Sequence, residues 1–281
     1  MIMNAKYQHK YIFLTCLVGL SLAGSVALAS DTPCGKPLTV EQKAQRALDV
    51  NGVQNVMGLH ELYGAPGPGY PRGRHDKEIE LIWAHKTPGM TFSENSGTYK
   101  GDVNMIKKLY GDSAGGGSEG GAASTKTPYE EGGPIPAAAS GTGSFNERTL
   151  ETPIIEIAGD GQTAKGWWYT IGWSALVKDG KGYAKWGFER YGVDFVKEDG
   201  EWKIWHFHVY NDFDAPFEKN FAQNAIDIGT VPDRYVTARP GLEQYFTPTV
   251  YHKSFDPKVV SDPLDTPPPM PYCHISDTFS Y

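Results

Sequence analysis

Val53, Val56, His60 and Tyr63 recur at three- and four-residue steps and therefore share one helix face. Thr39 followed by Gln42 reads as a capping box that opens this helix. The helix runs to about Tyr63 and meets a Gly-Ala-Pro-Gly-Pro-Gly stretch (64–69) that cannot continue it. Asp76 is placed to cap a second short helix (77–84), 91–99 has strand-like content, and 101–110 reads as a third short helix with Asp102 near its start. From Leu150 the pattern becomes β. Segments 154–158 and 164–176 flank an Asp160-Gly161 turn, and 178–182 forms a second turn. Segments 183–197 and 202–210 flank a third, Glu198-Asp199-Gly200-Glu201. Long strands joined by tight turns predict an antiparallel meander. Helices first and strands later predict an α+β fold with helices on one sheet face. After Phe213 the chain reads as irregular, with six prolines in 257–271, as an arm lying over the domain.

Two segments stand apart from this pattern. Residues 1–29 have the layout of a secretory signal peptide: Lys6 and Lys10, a mostly apolar run at 11–22, and Ala27-Leu28-Ala29 before Ser30. The apolar run is short for a membrane span. The expected location is periplasmic or secreted, with no membrane attachment after cleavage. Residues 111–143 are rich in Gly, Ala, Ser and Pro and read as a flexible insertion. The expected organisation is a leader (1–29), a domain (30–213) carrying the insertion, and a Pro-rich arm (214–281). Cleavage removes Cys16 and leaves Cys34 and Cys273, which either pair in an oxidising compartment or remain separate thiols. The net charge of −7 argues against a nucleic-acid footprint.

The richest chemistry lies on the last long strand. Alternation puts Ile204, His206, His208 and Tyr210 on one side and Lys203, Trp205, Phe207 and Val209 on the other. Asp194, on the neighbouring strand, is expected to face inward near His206 or His208. A carboxylate beside an imidazole sets its tautomer and raises its basicity; the competing reading is a structural hydrogen-bond network. His60 and Tyr63 carry the same ambiguity, as site residues or as satisfied core residues. His206-x-His208 is also a two-ligand metal spacing, with His60 or Asp194 as third ligand, but no cysteine cluster or His-Glu-x-x-His accompanies it, and no metal is expected. No nucleophile elbow, phosphate loop or dinucleotide fingerprint is present.

Segments 53–63, 78–84, 152–166 and 191–208 together resemble the SnoaL-like branch of the nuclear transport factor 2-like superfamily, over about 40–110 and 145–213. That resemblance implies a cone-shaped α+β barrel, a curved antiparallel sheet closed by N-terminal helices around an apolar pocket, and often a dimer. Similar proteins include scytalone dehydratase, bile acid dehydratase, ketosteroid isomerase, limonene epoxide hydrolase and polyketide cyclases, and some that remove formaldehyde from lignin-derived dimers. Most of them need no cofactor, and none is expected here. Tyr63 matches a helix-1 tyrosine used in several dehydratases, and Asp194 and His208 match inward strand positions. Arg148 stands where many relatives carry a histidine, shortly before Thr152-Pro153; a guanidinium there would clamp a carboxylate or an oxyanion.

The resulting expectation is a cofactor-independent lyase, dehydratase-like or cleaving an aldol-type bond, acting on an aromatic or polycyclic hydroxylated molecule. His206 or His208, oriented by Asp194, would take a proton; Tyr63, helped by His60, would donate one; Arg148 would offset negative charge. Val56, Trp83, Trp168, Tyr191 and Tyr210 are the expected pocket walls. The alternatives are a non-catalytic periplasmic binder of hydrophobic aromatics, and a structural or assembly role.

Overall fold

The computed structural model describes residues 34–65, 73–95, 97–110, 145–178, 181–228, 238–249, 252–262 and 265–281. The predicted leader (1–29) and insertion (111–143) lie outside them.

Helix α1 (Val40–Gly64) starts as its sequence requires. The Thr39 hydroxyl accepts from the Gln42 amide at 3.2 Å, and the Gln42 side chain accepts from the Thr39 amide at 2.9 Å. It ends at Ala65, whose extended backbone is the conformation a following proline imposes. Helix α2 (His75–Ile82) begins two residues earlier than predicted, and Asp76 does not cap it; Asp76 instead pairs with the Arg74 guanidinium at 3.0 and 3.1 Å. The segment read as one strand at 91–99 is a hairpin of β1 (Met90–Glu94) and β2 (Gly97–Gly101). Helix α3 (Val103–Leu109) is capped by Asp102.

The meander forms as predicted, with longer strands. It comprises β3 (Phe145–Leu150), β4 (Ile154–Ile157), β5 (Thr163–Lys178), β6 (Lys181–Glu198) and β7 (Glu201–Pro216). Asp199 and Gly200 both adopt positive φ, 53° and 87°, which closes the tight β6–β7 turn. The tail is less irregular than its prolines indicate. Helix α4 (Phe221–Ile228) follows β7, and β8 (Phe246–Pro248) pairs with β2. The eight strands run β3-β5-β6-β7-β1-β2-β8, with β4 also on β5. This is a curved α+β sheet of the expected kind, but it is not closed into a barrel.

The inner face packs on α1 to α3. Val53, Met57, Ile82, Trp83, Phe195 and Phe207, none more than 1% exposed, belong to one core; burying a side chain of Phe207's size stabilises the fold by about 2–3 kcal/mol. Asp49 anchors α1 to the β6–β7 end by accepting from Lys197 (2.8 Å) and Trp202 (3.1 Å).

The outer face is covered by the C-terminal arm. A disulfide joins Cys34 to Cys273 across 239 residues of sequence. Lys165 and Asp194, both fully buried, pair at 2.6 Å. Asp194 also accepts from the Ser280 hydroxyl (2.8 Å) and the Tyr281 amide (3.1 Å). The Lys165 ammonium lies 4.7 Å from the Phe279 ring centre and 5.1 Å from that of Tyr281. Tyr281 lies on Gly192, where any Cβ would collide with its ring. Further along, Arg190 grips Asp212 and Asp265, and His252 bridges the same two carboxylates.

Candidate active site

A β-bulge decides which side chains face the helices. Asp194 pairs with His206 but Phe195 pairs with Ile204, so Trp205 is left unmatched and the alternation shifts by one. Ile204 and Phe207 therefore both enter the inner core, and His206 turns outward. The expectation that Ile204 shares a face with His206 and His208 is not met. His206 bonds Asp194 at 2.7 Å and the Ser280 hydroxyl at 2.7 Å, beneath the arm. His208 stacks on Tyr210, ring centres 3.8 Å apart, on that same outer side. Burial first, then the charge of His252, pushes the His208 pKa down to about 3. Tyr210 packs with Trp167 and Tyr281 rather than in the inner core. Asp194, His206, His208 and Tyr210 thus form an outer group, separate from His60, Arg148 and Tyr191. Among the described residues, no three His, Cys, Asp or Glu side chains are grouped to hold a metal ion.

The inner group is built around Glu78, a residue the pattern analysis passed over. Glu78 is fully buried on α2. It accepts from His60 Nδ1 (2.8 Å), His75 Nδ1 (2.6 Å) and Trp83 Nε1 (3.1 Å). Burial, the largest influence, favours the neutral acid. The charges and hydrogen bonds of His60 and His75 outweigh it and hold the Glu78 pKa down to about 2. Glu78 fixes His60 in turn. Burial disfavours the imidazolium, but the charge and hydrogen bond of Glu78, with the charge of Glu61, raise the His60 pKa on balance. With Nδ1 engaged by a carboxylate, Nε2 is the ring nitrogen that Glu78 leaves unengaged.

Aromatic rings surround this pair. The His60 ring lies 4.8 Å from Phe207 and 6.2 Å from Tyr191. His75 stacks on Tyr110 at 4.4 Å, and Phe92 stacks on Phe207 at 5.9 Å. Across the sheet, Arg148 forms a two-point pair with Glu189 (2.8 and 3.2 Å), which also accepts from Asn211 at 3.1 Å. The Tyr191 hydroxyl lies 3.4 Å from the same carboxylate. Burial, with the charges of Glu61 and Glu189, raises the Tyr191 pKa well above its ordinary value.

Among the expected walls, Trp83 and Trp168 are inner-core residues with Val56, and Tyr191 joins them. Tyr63 lies half-buried on the last turn of α1, outside the hydrogen-bonded cluster. Glu61, adjacent to His60, has burial as the largest influence on its pKa, pushing it up to about 7 against the opposing charges of His60 and Arg148. The missed residues had one signal. His75, Glu78, Ile79 and Ile82 recur at three- and four-residue steps, so a histidine and a glutamate sit in the buried stripe of α2.

Residues 93–208 match the family described as SnoaL-like domain. Over that span the chain carries a SnoaL-like domain. Among solved structures, a hexachlorocyclohexane dehydrochlorinase from Novosphingobium barchaimii is similar at 12% identity and TM-score 0.41, over 64% of this chain and 97% of that one. A nuclear transport factor 2-like protein with a cystatin-like fold from Novosphingobium aromaticivorans is similar at 14% identity and TM-score 0.36, over 67% and 96%. These similarities are low in identity and TM-score alike. No curated protein matches the chain.

Proposed function

We propose that the protein is a cofactor-independent lyase that dehydrates, or cleaves an aldol-type bond in, a hydroxylated aromatic molecule, and that His60 is its base. The observation that carries this reading is the His60–Glu78 pair: a buried, ionised carboxylate fixes one imidazole nitrogen of a ring that lies among Phe207 and Tyr191. Such pairing sets the tautomer and raises basicity in surroundings where proton transfer is strong. The Arg148 guanidinium supplies positive charge for an oxygen that gains charge. Glu189 holds that guanidinium in place. Export belongs to the same proposal. The Cys34–Cys273 bond supports it, since such bonds persist in oxidising compartments.

The test is turnover of a panel of benzylic alcohols and 1,2-diarylpropane-1,3-diols, read by mass spectrometry for loss of water and by trapping of released formaldehyde. The expected result is turnover that falls about 100-fold or more in His60→Gln and in Glu78→Gln. Tight binding by the wild type with no product from any compound would replace the lyase with a non-catalytic binder.

A further inference from the structure

Glu61 has no part in the chemistry above, yet it is unusual among the described residues. Its Oε1 is buried and has no hydrogen-bond partner among them. It lies 4.0 Å from His60 Nε2, the nitrogen that Glu78 leaves unused. That separation is too long for a hydrogen bond. A buried carboxylate oxygen left unsatisfied costs free energy, and such a cost is retained where something else satisfies it. The charged groups facing Glu61 are His60 on its own helix, Glu78 of α2, Arg148 of β3 and Glu189 of β6. Arg148 is already engaged at two points by Glu189, and His60, the other cationic partner of Glu61 among the described residues, stands beyond hydrogen-bond reach at 4.0 Å.

An imidazole nitrogen and a carboxylate oxygen facing each other across 4.0 Å fit one chemical group especially well. A hydroxyl donates its proton to one and accepts from the other. We propose that Glu61 and His60 together grip a substrate hydroxyl, which makes Glu61 a second catalytic residue and the substrate an uncharged alcohol on an aromatic frame. The catalytic half of this inference rests on the lyase reading; the gripping half does not. Three carboxylates, Glu61, Glu78 and Glu189, disfavour an anionic substrate.

Two proton-transfer groups complete either reaction without a redox partner. In an aldol-type cleavage the basic member of the pair takes the hydroxyl proton. The C–O bond becomes a carbonyl, the neighbouring C–C bond breaks, and its electron pair goes to the carbon that receives a proton from the acidic member. In a dehydration the basic member takes a C–H proton, those electrons form the double bond, and the C–O bond breaks. The acidic member then protonates the departing hydroxyl to give water.

Two variants of the full chain separate gripping from proton transfer. Glu61→Gln still offers an oxygen to a hydroxyl but cannot shuttle a proton; Glu61→Leu offers neither. Binding is measured by calorimetry with 1,2-diphenylpropane-1,3-diol and with 1,2-diphenylpropane, which lacks the hydroxyls, and turnover is measured with the diol. The wild type is expected to prefer the diol by at least about tenfold, the worth of one satisfied buried group. Glu61→Gln is expected to keep that preference and KM while kcat falls about 100-fold, and Glu61→Leu is expected to lose the preference. A wild type that binds both compounds equally, or neither, overturns the proposal, as does a Glu61→Leu variant that keeps its preference. A Glu61→Gln variant with near-normal kcat overturns the catalytic half. A wild type that prefers the diol, through Glu61, but never turns it over overturns the lyase reading and leaves the gripping half standing.

Discussion

Removing the charge of Glu61 is expected to make the protein more stable, increasingly as pH rises above about 4.5. In the folded chain burial pushes this carboxyl up to about 7, against an ordinary 4.5 in the unfolded chain. Between those values the folded state holds a proton that the unfolded state has released, so stability falls as pH rises through that window. Below about 4.5 both states are protonated and there is no cost; above about 7 the cost is complete. A displacement of that size corresponds to about 3 kcal/mol, and the residual 18% exposure of the side chain reduces it toward about 2. Glutamine keeps the shape and does not titrate. Urea denaturation of the wild type and Glu61→Gln at pH 4 and pH 8 reads the effect directly. The stability difference in favour of the variant is expected to grow by about 2–3 kcal/mol from the lower to the higher pH. A difference that stays constant within about 0.5 kcal/mol would refute the reasoning, because the carboxyl would then be as well solvated folded as unfolded. A stabilised variant with lost turnover is the signature expected of a residue retained for chemistry rather than for folding.

Two further outcomes concern the outer face. Asp194→Asn leaves Lys165 buried beside a neutral side chain and is expected to cost about 3–5 kcal/mol, with hydrogen exchange rising across 272–281; unchanged exchange there would show that the arm does not depend on Asp194. Cys34→Ser is expected to lower stability by about 3–5 kcal/mol, seen as a lower denaturation midpoint that matches the wild type under reducing conditions.

Much of the scaffold was legible because its signals are local. The Thr39–Gln42 capping box, the Asp102 cap and the Asp160-Gly161 and Asp199-Gly200 turns each need only a few neighbouring residues. The candidate site was only half legible, and β6 and β7 show why. Alternation separates two faces but does not say which is inner when both are covered. Here the arm buries Asp194, His206 and His208 as thoroughly as the helices bury Tyr191 and Phe207. The bulge at Trp205 then shifts the alternation, an effect that depends on pairing with β6 and has no mark in β7 itself. The tail misled differently. Its prolines at 257–271 lie beyond α4 and β8; β8 is held by pairing with the distant β2, while α4, begun by Asn220, packs back on β7 through Phe221 and Phe213. Glu78 was legible in principle, as a charge inside an apolar stripe.

The bond between Cys34 and Cys273 has a consequence for how the chain comes into being. The partner of Cys34 stands 239 residues further along the chain, so the link closes only after β1 to β8 have been made. Until that partner arrives, Lys165 and Arg190 have their sheet partners Asp194 and Asp212 but lack Phe279, Tyr281 and Asp265 of the tail. A truncation that spares every residue of the inner cluster but removes 270–281 would open the Lys165–Asp194 pair to water.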